Sequence, residues 1–150
     1  MYNENPKDYN PGMHTTEHIL NQTMVRLFGC GRAFSAHIEK KKSKCDYHFD
    51  RDLTKEEVEK IESQVNAVIE SRLPVTESFM HIGDAQKMFN LSRLPEEAGE
   101  TIRVIKVGDY DSCPCSGVHV SSTDQIEGRF SVVSTSFETG VLRVRFKLVK

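Results

Sequence analysis

Four side chains of the types that bind soft metal ions stand in two short motifs far apart in the chain. His14 and His18 lie in HTTEHIL, and Cys115 and His119 lie in CSGVHV. Residues four apart on a helix share one face, so the two imidazoles of the first motif can reach one ion. Imidazole and thiolate together favour zinc over calcium or magnesium, which prefer oxygen ligands. The sequence therefore predicts a zinc site that joins both motifs.

Composition limits the class of protein that could carry such a site. The 150 residues, 37% hydrophobic and 28% charged, predict one soluble globular domain spanning 1–150. No apolar stretch is long enough to cross a membrane, and the polar N-terminus does not resemble a signal peptide, so we expect a cytoplasmic protein. The net charge of -2 argues against a general nucleic-acid coat and against DNA as a partner. A local basic patch could still contact an RNA substrate.

Periodicity predicts the helices. Residues 1–12 read as an extended N-terminal arm, and apolar residues at helical intervals predict a helix over 13–28. The clearest helix is DLTKEEVEKIESQVNAVIESRL, in which Thr54 is the expected N-cap and Glu57 completes a capping box. A short helix is expected from Asp84, with apolar residues through Phe89.

Runs of apolar and β-branched residues predict the strands. They lie in FSAHIEKK, KCDYHFD, PVTESFMHI, TIRVIKVGDY, GRFSVVSTSF and VLRVRFKLV. The first two strands should be joined by the lysine-rich turn KKKSK, and the last two by a turn at 138–140. This order of elements predicts an α+β fold with a largely antiparallel sheet packed against helices.

These segments follow one another as in a known domain. HTTEHIL, CDYHFDRDLTKEEVEKIESQVNAVI, LPV, IRVIKVGDYDSCPCSGVHVSSTDQIEGRFSVVS and GVLRVRF occur in this order from about His14 to Phe146. The chain resembles the editing domain, or second additional domain, shared by alanyl- and threonyl-tRNA synthetases, and most of all the free-standing AlaX-type deacylases. Cys113 is two residues from Cys115, but only Cys115 has a histidine at the family's spacing.

The resemblance implies the fold, cofactor and activity. It implies the editing-domain fold common to both synthetases, with zinc held by His14, His18, Cys115 and His119. The implied activity is zinc-dependent hydrolysis of a wrongly attached amino acid from mischarged tRNA. Serine on alanine tRNA is the leading substrate, followed by glycine on the same tRNA and serine on threonine tRNA. The aminoacylation parts of a synthetase are absent, so the chain would act in trans.

Further residues are candidates for the chemistry and for the amino-acid pocket. Glu17, between the two histidines of HTTEH, is a possible general base or a solvent-facing carboxylate. Ser35 and His37 share one face of a predicted strand by alternation and could line the substrate pocket. Gly117 keeps the tight backbone of the CSGVH loop and is a further substrate-binding candidate. His37 could equally be an ordinary strand residue.

Cations are the candidates for tRNA contacts. Lys40, Lys41 and Lys42 belong to the densest basic run of the chain, and Arg129 follows the metal loop. We expect these residues to contact tRNA phosphates. A lysine-rich turn that is only solvated is an equally good interpretation of the pattern.

Two other functions stay open. HTTEH also fits the H-x-x-E-H pattern of inverzincin metallopeptidases, in which the glutamate activates water. Those enzymes take a distal carboxylate as third ligand, not a Cys–His loop. The loop reads CSGVH where alanyl-type members usually read CGGTH, and this difference keeps open a non-catalytic zinc-stabilised module that binds tRNA or a synthetase.

Overall fold

The computed structural model of the chain describes residues 10–88 and 101–150. It contains, in order, α1 (Pro11–Phe28), β1 (Ser35–His37), β2 (Ser43–His48), α2 (Lys55–Glu70), β3 (Val75–His81), α3 (Ile82–Met88), β4 (Thr101–Val107), β5 (Asp111–Pro114), β6 (Arg129–Glu138) and β7 (Val141–Val149). A 3-10 turn, Thr123–Gln125, precedes β6. Within these ranges, none of the helices combines the length and hydropathy needed to span a bilayer.

Helix α1 begins earlier than its apolar pattern predicts. Asn10 caps it by accepting a hydrogen bond from the Met13 amide, and Pro11 occupies the first turn, where its missing N–H costs nothing. The predicted arm, residues 1–12, was therefore too long by Pro11 and Gly12, which are helical; residues 1–9 lie outside the described part of the chain. Gly29 ends the helix in the left-handed conformation, with φ of 68°.

The predicted start of α2 is confirmed. The Thr54 hydroxyl accepts from the Glu57 amide at 3.2 Å, and the Glu57 carboxylate accepts from the Thr54 amide at 2.8 Å. This capping box satisfies two backbone donors that the first turn leaves without partners. Helix α3 begins at Ile82, and the expected Phe89 at its end lies outside the described residues.

The α+β fold is confirmed, with the strands divided between two antiparallel sheets. One has the order β1-β2-β7-β6, and the other has the order β3-β4-β5. The sequence pattern did not distinguish β5 from the loop that follows it, because Asp111–Pro114 is short and contains no run of apolar residues. The main hydrophobic core lies between the four-stranded sheet, α1 and α2, and includes residues of β4 from the second sheet.

Helix α1 is unusual because burial extends around most of its circumference. Every residue from Met13 to Asn21 is buried, whether apolar or polar. The helix contacts α2, β5 and the 3-10 turn. Both histidines of the first motif therefore lie in the protein interior, next to the strand that leads into the second motif.

Candidate metal centre

The two motifs converge on one point. The ligand atoms of His14, His18, Cys115 and His119 all lie within 4.8 Å of one another. Helix α1 contributes the first two side chains, and the loop after β5 contributes the others. The three imidazole rings have centroid separations of 4.1 to 5.1 Å.

The second nitrogen of His14 is held by the metal loop. Its Nδ1 lies 3.1 Å from the Val118 carbonyl oxygen, and only the ring N–H can donate in that pair. Nε2 then faces the Cys115 sulfur at 3.5 Å. A ring held in this tautomer presents the lone pair of Nε2 to the centre of the cluster.

His119 is fixed in a similar way. Its Nδ1 lies 2.9 Å from the hydroxyl of Thr15, which also accepts from the Val120 amide at 3.3 Å. Burial lowers the pKa of His119 to about 3, so the ring is neutral at physiological pH. Its Nε2 is buried and has no hydrogen-bond partner within the described residues.

His18 faces the carboxylate of Asp111, which Arg32 and Gln22 also contact. Its Nδ1 lies 3.6 Å from Oδ2 of Asp111, whose side chain is fully buried. Arg32 donates to both oxygens of Asp111, at 2.6 and 3.3 Å, and Gln22 donates to Oδ1 at 3.1 Å. Burial alone would raise the pKa of Asp111, but His18 and Arg32 outweigh it and hold that pKa at about 2. A carboxylate behind a histidine is the usual arrangement around protein-bound metal ions.

Hydrogen bonds from β4 hold the loop that carries Cys115. Arg103 donates from one guanidinium nitrogen to the carbonyl oxygens of Cys115 and Gly117, at 3.0 and 2.8 Å. The Gly117 amide lies 3.4 Å from the Cys115 sulfur. A Cβ built on Gly117 would lie 2.7 Å from His14 Nδ1, so only glycine lets the loop approach that ring.

The protonation states of Cys115 and His119 match those of metal ligands. Burial alone would lower the pKa of His18, but Asp111 and Cys115 outweigh it and raise that pKa well above its ordinary value, so this ring must lose a proton when it binds a metal ion. Burial alone would raise the pKa of the Cys115 thiol, but the neighbouring imidazoles of His119, His14 and His18 outweigh it and lower that pKa to about 2. The site thus offers one thiolate and the neutral ring of His119. Convergence of four soft donors and the unpaired Nε2 of His119 fit a zinc ion.

Glu17 lies inside the protein, so the solvent-facing interpretation is wrong. It is only 1% exposed, and Oε2 accepts a hydrogen bond from the Asn21 amide group. Asn21 is held by Tyr47 and by the Ala33 amide, which both donate to its Oδ1. Oε1 has no hydrogen-bond partner within the described residues and lies 3.9 Å from His14 Nε2.

Three further residues were predicted to bind the substrate. Ala36 is buried, and the alternation of β1 turns His37 to the solvent side of its sheet, where it lies 3.2 Å from Glu39. Ser35 shares that side by the same alternation. Gly117 is buried against His14. The binding roles of Ser35, His37 and Gly117 remain predictions.

The cations predicted to contact tRNA differ in whether they form an ion pair. Lys40, Lys41 and Lys42 form an exposed turn between β1 and β2. Arg129 is exposed as well, but it forms an ion pair with Glu70 at 2.8 Å.

Sequence reasoning missed the residues that hold the ligands. Asp111 and Arg32 are 79 residues apart in sequence, so no local pattern joins them. Two weaker signals were present. Gln22 follows His18 by four residues on the same helix face, and Asp111 is a charged residue four positions after the largely buried strand β4.

Comparison with known proteins bears on the same segment. Residues 102–145 match the model of the threonyl and alanyl tRNA synthetase second additional domain. The alanine–tRNA ligase of Fervidobacterium nodosum is 34% identical over 133 residues, which cover 87% of this chain and 15% of that protein. The chain is a domain of the alanyl- and threonyl-tRNA synthetase editing type. This editing-type domain contains Cys115 and His119 within the segment that the family model matches.

Further alanine–tRNA ligases align over most of the editing-type domain. The protein of Leptospira biflexa is 33% identical over 80% of this chain, and that of Mycoplasmoides gallisepticum is 31% identical over 99% of it. The domain covers only 13% and 17% of these two proteins. It therefore spans a small part of the length of the curated relatives that it matches.

Proposed function

We propose that this editing-type domain hydrolyses aminoacyl esters of mischarged tRNA, with a zinc ion held by His14, His18, Cys115 and His119. The observation that carries the proposal is the convergence of the four donors in a largely buried site. The contacts of Val118, Thr15 and Asp111 with the imidazoles support it, because they hold the rings in fixed orientations.

Zinc in this site would supply a Lewis acid that polarises the ester carbonyl or orients the substrate. An aminoacyl ester is already activated, so a positioned water and a stabilised oxyanion suffice for hydrolysis. Water adds to the carbonyl carbon and the bond to the ribose oxygen breaks. The products are a free amino acid and the terminal hydroxyl of tRNA.

Glu17 is the proposed general base. It takes the proton of the attacking water and returns it to the leaving ribose oxygen. Its Oε1 lies 3.9 Å from His14 Nε2, at the edge of the cluster. Asn21 holds the other oxygen, so the side chain is fixed with one oxygen available.

The substrate is what the resemblance implies, whereas the pocket residues and the tRNA contacts rest on strand alternation, the loop backbone and charge. We propose serine on alanine tRNA as the leading substrate, with Gly117, Ser35 and His37 as its binding residues. A site that hydrogen-bonds the serine hydroxyl can reject alanine strongly, since its polar groups stay unpaired without that hydroxyl. The lysine turn, Lys40–Lys42, is the proposed contact to phosphates, together with Arg129. We propose that hydrolysis occurs in trans, on tRNA released by a synthetase.

Initial rates on a panel of substrates test this function. The panel contains seryl- and glycyl-tRNA of the alanine type, seryl-tRNA of the threonine type, correct alanyl-tRNA and an unblocked peptide. We expect the fastest release from seryl-tRNA of the alanine type and no cleavage of the peptide. Equal rates on seryl- and alanyl-tRNA would refute editing. Cleavage of the peptide alone would favour the inverzincin reaction, and tRNA binding without any hydrolysis would favour a non-catalytic module.

Glu17→Gln tests the proposed base. The variant keeps the size of the side chain and can still bond Asn21, so the zinc content should stay normal. General-base catalysis contributes about 100- to 10,000-fold, and seryl-tRNA release should fall within that range. A rate within about twofold of the wild type would remove Glu17 from the mechanism.

A further inference from the structure

The solvent side of the four-stranded sheet carries an unusual set of side chains. Along β2 and β7, Cys45 and Val144 face the core as Cα partners, so their neighbours Lys44 and Arg145 face outward together. Lys147 lies on the same side of β7, two residues beyond Arg145, and is exposed. We call these three residues the basic sheet face.

The three cations are close to one another without matching carboxylates. Lys44 is directly opposite Arg145 in the register, and like charges in that position destabilise a sheet. The carboxylate nearest in the register is Asp46, and Arg143 already binds both of its oxygens at 2.8 and 2.9 Å. Among the ion pairs of residues 10–88 and 101–150, none includes a member of the basic sheet face. The face thus keeps two like charges directly opposite each other, with only the electrostatic attraction between Asp46 and Lys44 to offset them.

Hydroxyl groups extend this surface on β6. Ser131 is the Cα partner of Lys147, and Ser134 is the partner of Arg145, to which it lies close enough for a 3.4 Å hydrogen bond. A β-bulge between Val132 and Ser134 makes this possible, because it inserts Val133 and shifts the register by one residue. Without the bulge, Val133 would lie opposite Arg145.

One neighbouring surface has a net negative charge. Helix α2 packs on the other side of this sheet and exposes Glu56, Glu59 and Glu70 beside Lys55 and Lys60. The net charge of the chain is only -2, so the excess of cations on one side reflects segregation of charge and not a basic composition. An acidic helix and a basic sheet face would orient a polyanion toward the sheet.

We propose that the basic sheet face binds the phosphate backbone of tRNA. Guanidinium, ammonium and hydroxyl groups are the side chains that position nucleic-acid backbones without reading the bases. The face continues from the lysine turn, because Lys42 is followed by β2 and Lys44 is in its second position. Strand β1, which pairs with β2 at the edge of this sheet, begins three residues after Arg32, which binds Asp111. This inference deepens the proposed function and rests on it for the identity of the RNA.

Binding of uncharged tRNA at several salt concentrations tests the proposal. The variant Lys44→Gln/Arg145→Gln/Lys147→Gln should bind more weakly, and the slope of log affinity against log salt should fall by about one for each phosphate-binding cation that is replaced. The matched control is Lys55→Gln/Lys60→Gln/Lys87→Gln, which changes the net charge equally at exposed positions elsewhere. The control should keep the wild-type slope.

Each other outcome overturns the proposal. Wild-type binding by the sheet variant removes the face from the interface, and an equal decrease in both variants shows attraction to net charge only. Competition by poly-glutamate as strong as that by tRNA would assign the face to an acidic protein. Removing mutually repelling cations should leave the melting temperature unchanged or higher; if the triple variant does not fold, Lys147→Gln alone should lower the slope by about one.

The two proposals can fail separately. Uncharged tRNA has no ester, so its binding does not depend on any hydrolytic activity. Normal salt-dependent binding through the basic sheet face without deacylation would refute the hydrolase alone. Deacylation with unchanged binding in the sheet variant would refute only this docking surface.

Discussion

The candidate metal centre and the basic sheet face differ in whether their charged side chains are paired. In the centre, Asp111 is buried and receives hydrogen bonds from Arg32 and Gln22. On the sheet, Lys44 and Arg145 face each other across two strands, and no ion pair of the described residues neutralises them. A buried charge without a partner costs several kcal/mol, whereas cations on the solvent side of a sheet can remain unpaired until an anion arrives. The first arrangement fixes geometry, and the second is suited to binding a charged partner.

The largest expected effect comes from removing a ligand at the centre. Purified wild-type protein should contain about one zinc per chain. Cys115→Ser and His18→Ala should each contain almost none, because three remaining donors bind the ion far more weakly. Metal content by mass spectrometry measures this. Full zinc in both variants would mean that the two motifs do not share an ion.

The next effect tests the close approach of the loop to α1. Gly117→Ala should weaken zinc binding at least about tenfold, since the added methyl group overlaps the His14 ring and displaces a ligand. Gly31→Ala is the matched control, because nothing lies within 4 Å of a Cβ at that exposed position. Competition with a chromophoric chelator gives both affinities. Equal affinities in the two variants would show that the loop can move away without weakening the site.

An effect of comparable size separates the carboxylate that orients His18 from ordinary ion pairing. Asp111→Asn should weaken zinc binding by about 10- to 100-fold, the usual effect of removing a residue behind a metal ligand. Asp46→Asn breaks a comparable bidentate contact with Arg143, far from the cluster in sequence and on another sheet. It should lower the melting temperature and leave zinc affinity unchanged. If both variants lose zinc affinity equally, Asp111 acts only through general stability.

The smallest effect concerns the exposed lysine turn. Lys40→Ala/Lys41→Ala/Lys42→Ala should weaken tRNA binding and reduce its salt slope by up to about three, one for each phosphate contact. Zinc content and melting temperature should not change, since these side chains are exposed. Unchanged tRNA affinity would show that the three lysines are only solvated and do not contact tRNA.

The sequence predicts more of the candidate metal centre than of the basic sheet face. His14 with His18, and Cys115 with His119, were recognisable because each pair is local, and the family resemblance supplied the link between the pairs. Helix α2 was predicted with its cap because Thr54 and Glu57 are three residues apart. Such signals depend on residues that are close in the chain.

Contacts between distant segments could not be predicted in this way. The Arg32–Asp111 contact depends on how α1 and β5 pack, and the opposition of Lys44 and Arg145 depends on strand register. The bulge at Val133 shifts the register of β6 on β7 and has no glycine or proline to mark it. The burial of Glu17 was missed because α1 is enclosed on nearly all sides, which an amphipathic pattern does not indicate.

The most direct test of the central claim is the release of serine from seryl-tRNA of the alanine type before and after zinc removal. Chelator-treated protein, with metal content verified near zero, should lose this activity, and one equivalent of zinc per chain should restore it. Uncatalysed ester hydrolysis measured without protein provides the background. A rate that stays unchanged when the protein contains no metal would contradict the proposed zinc-dependent deacylase.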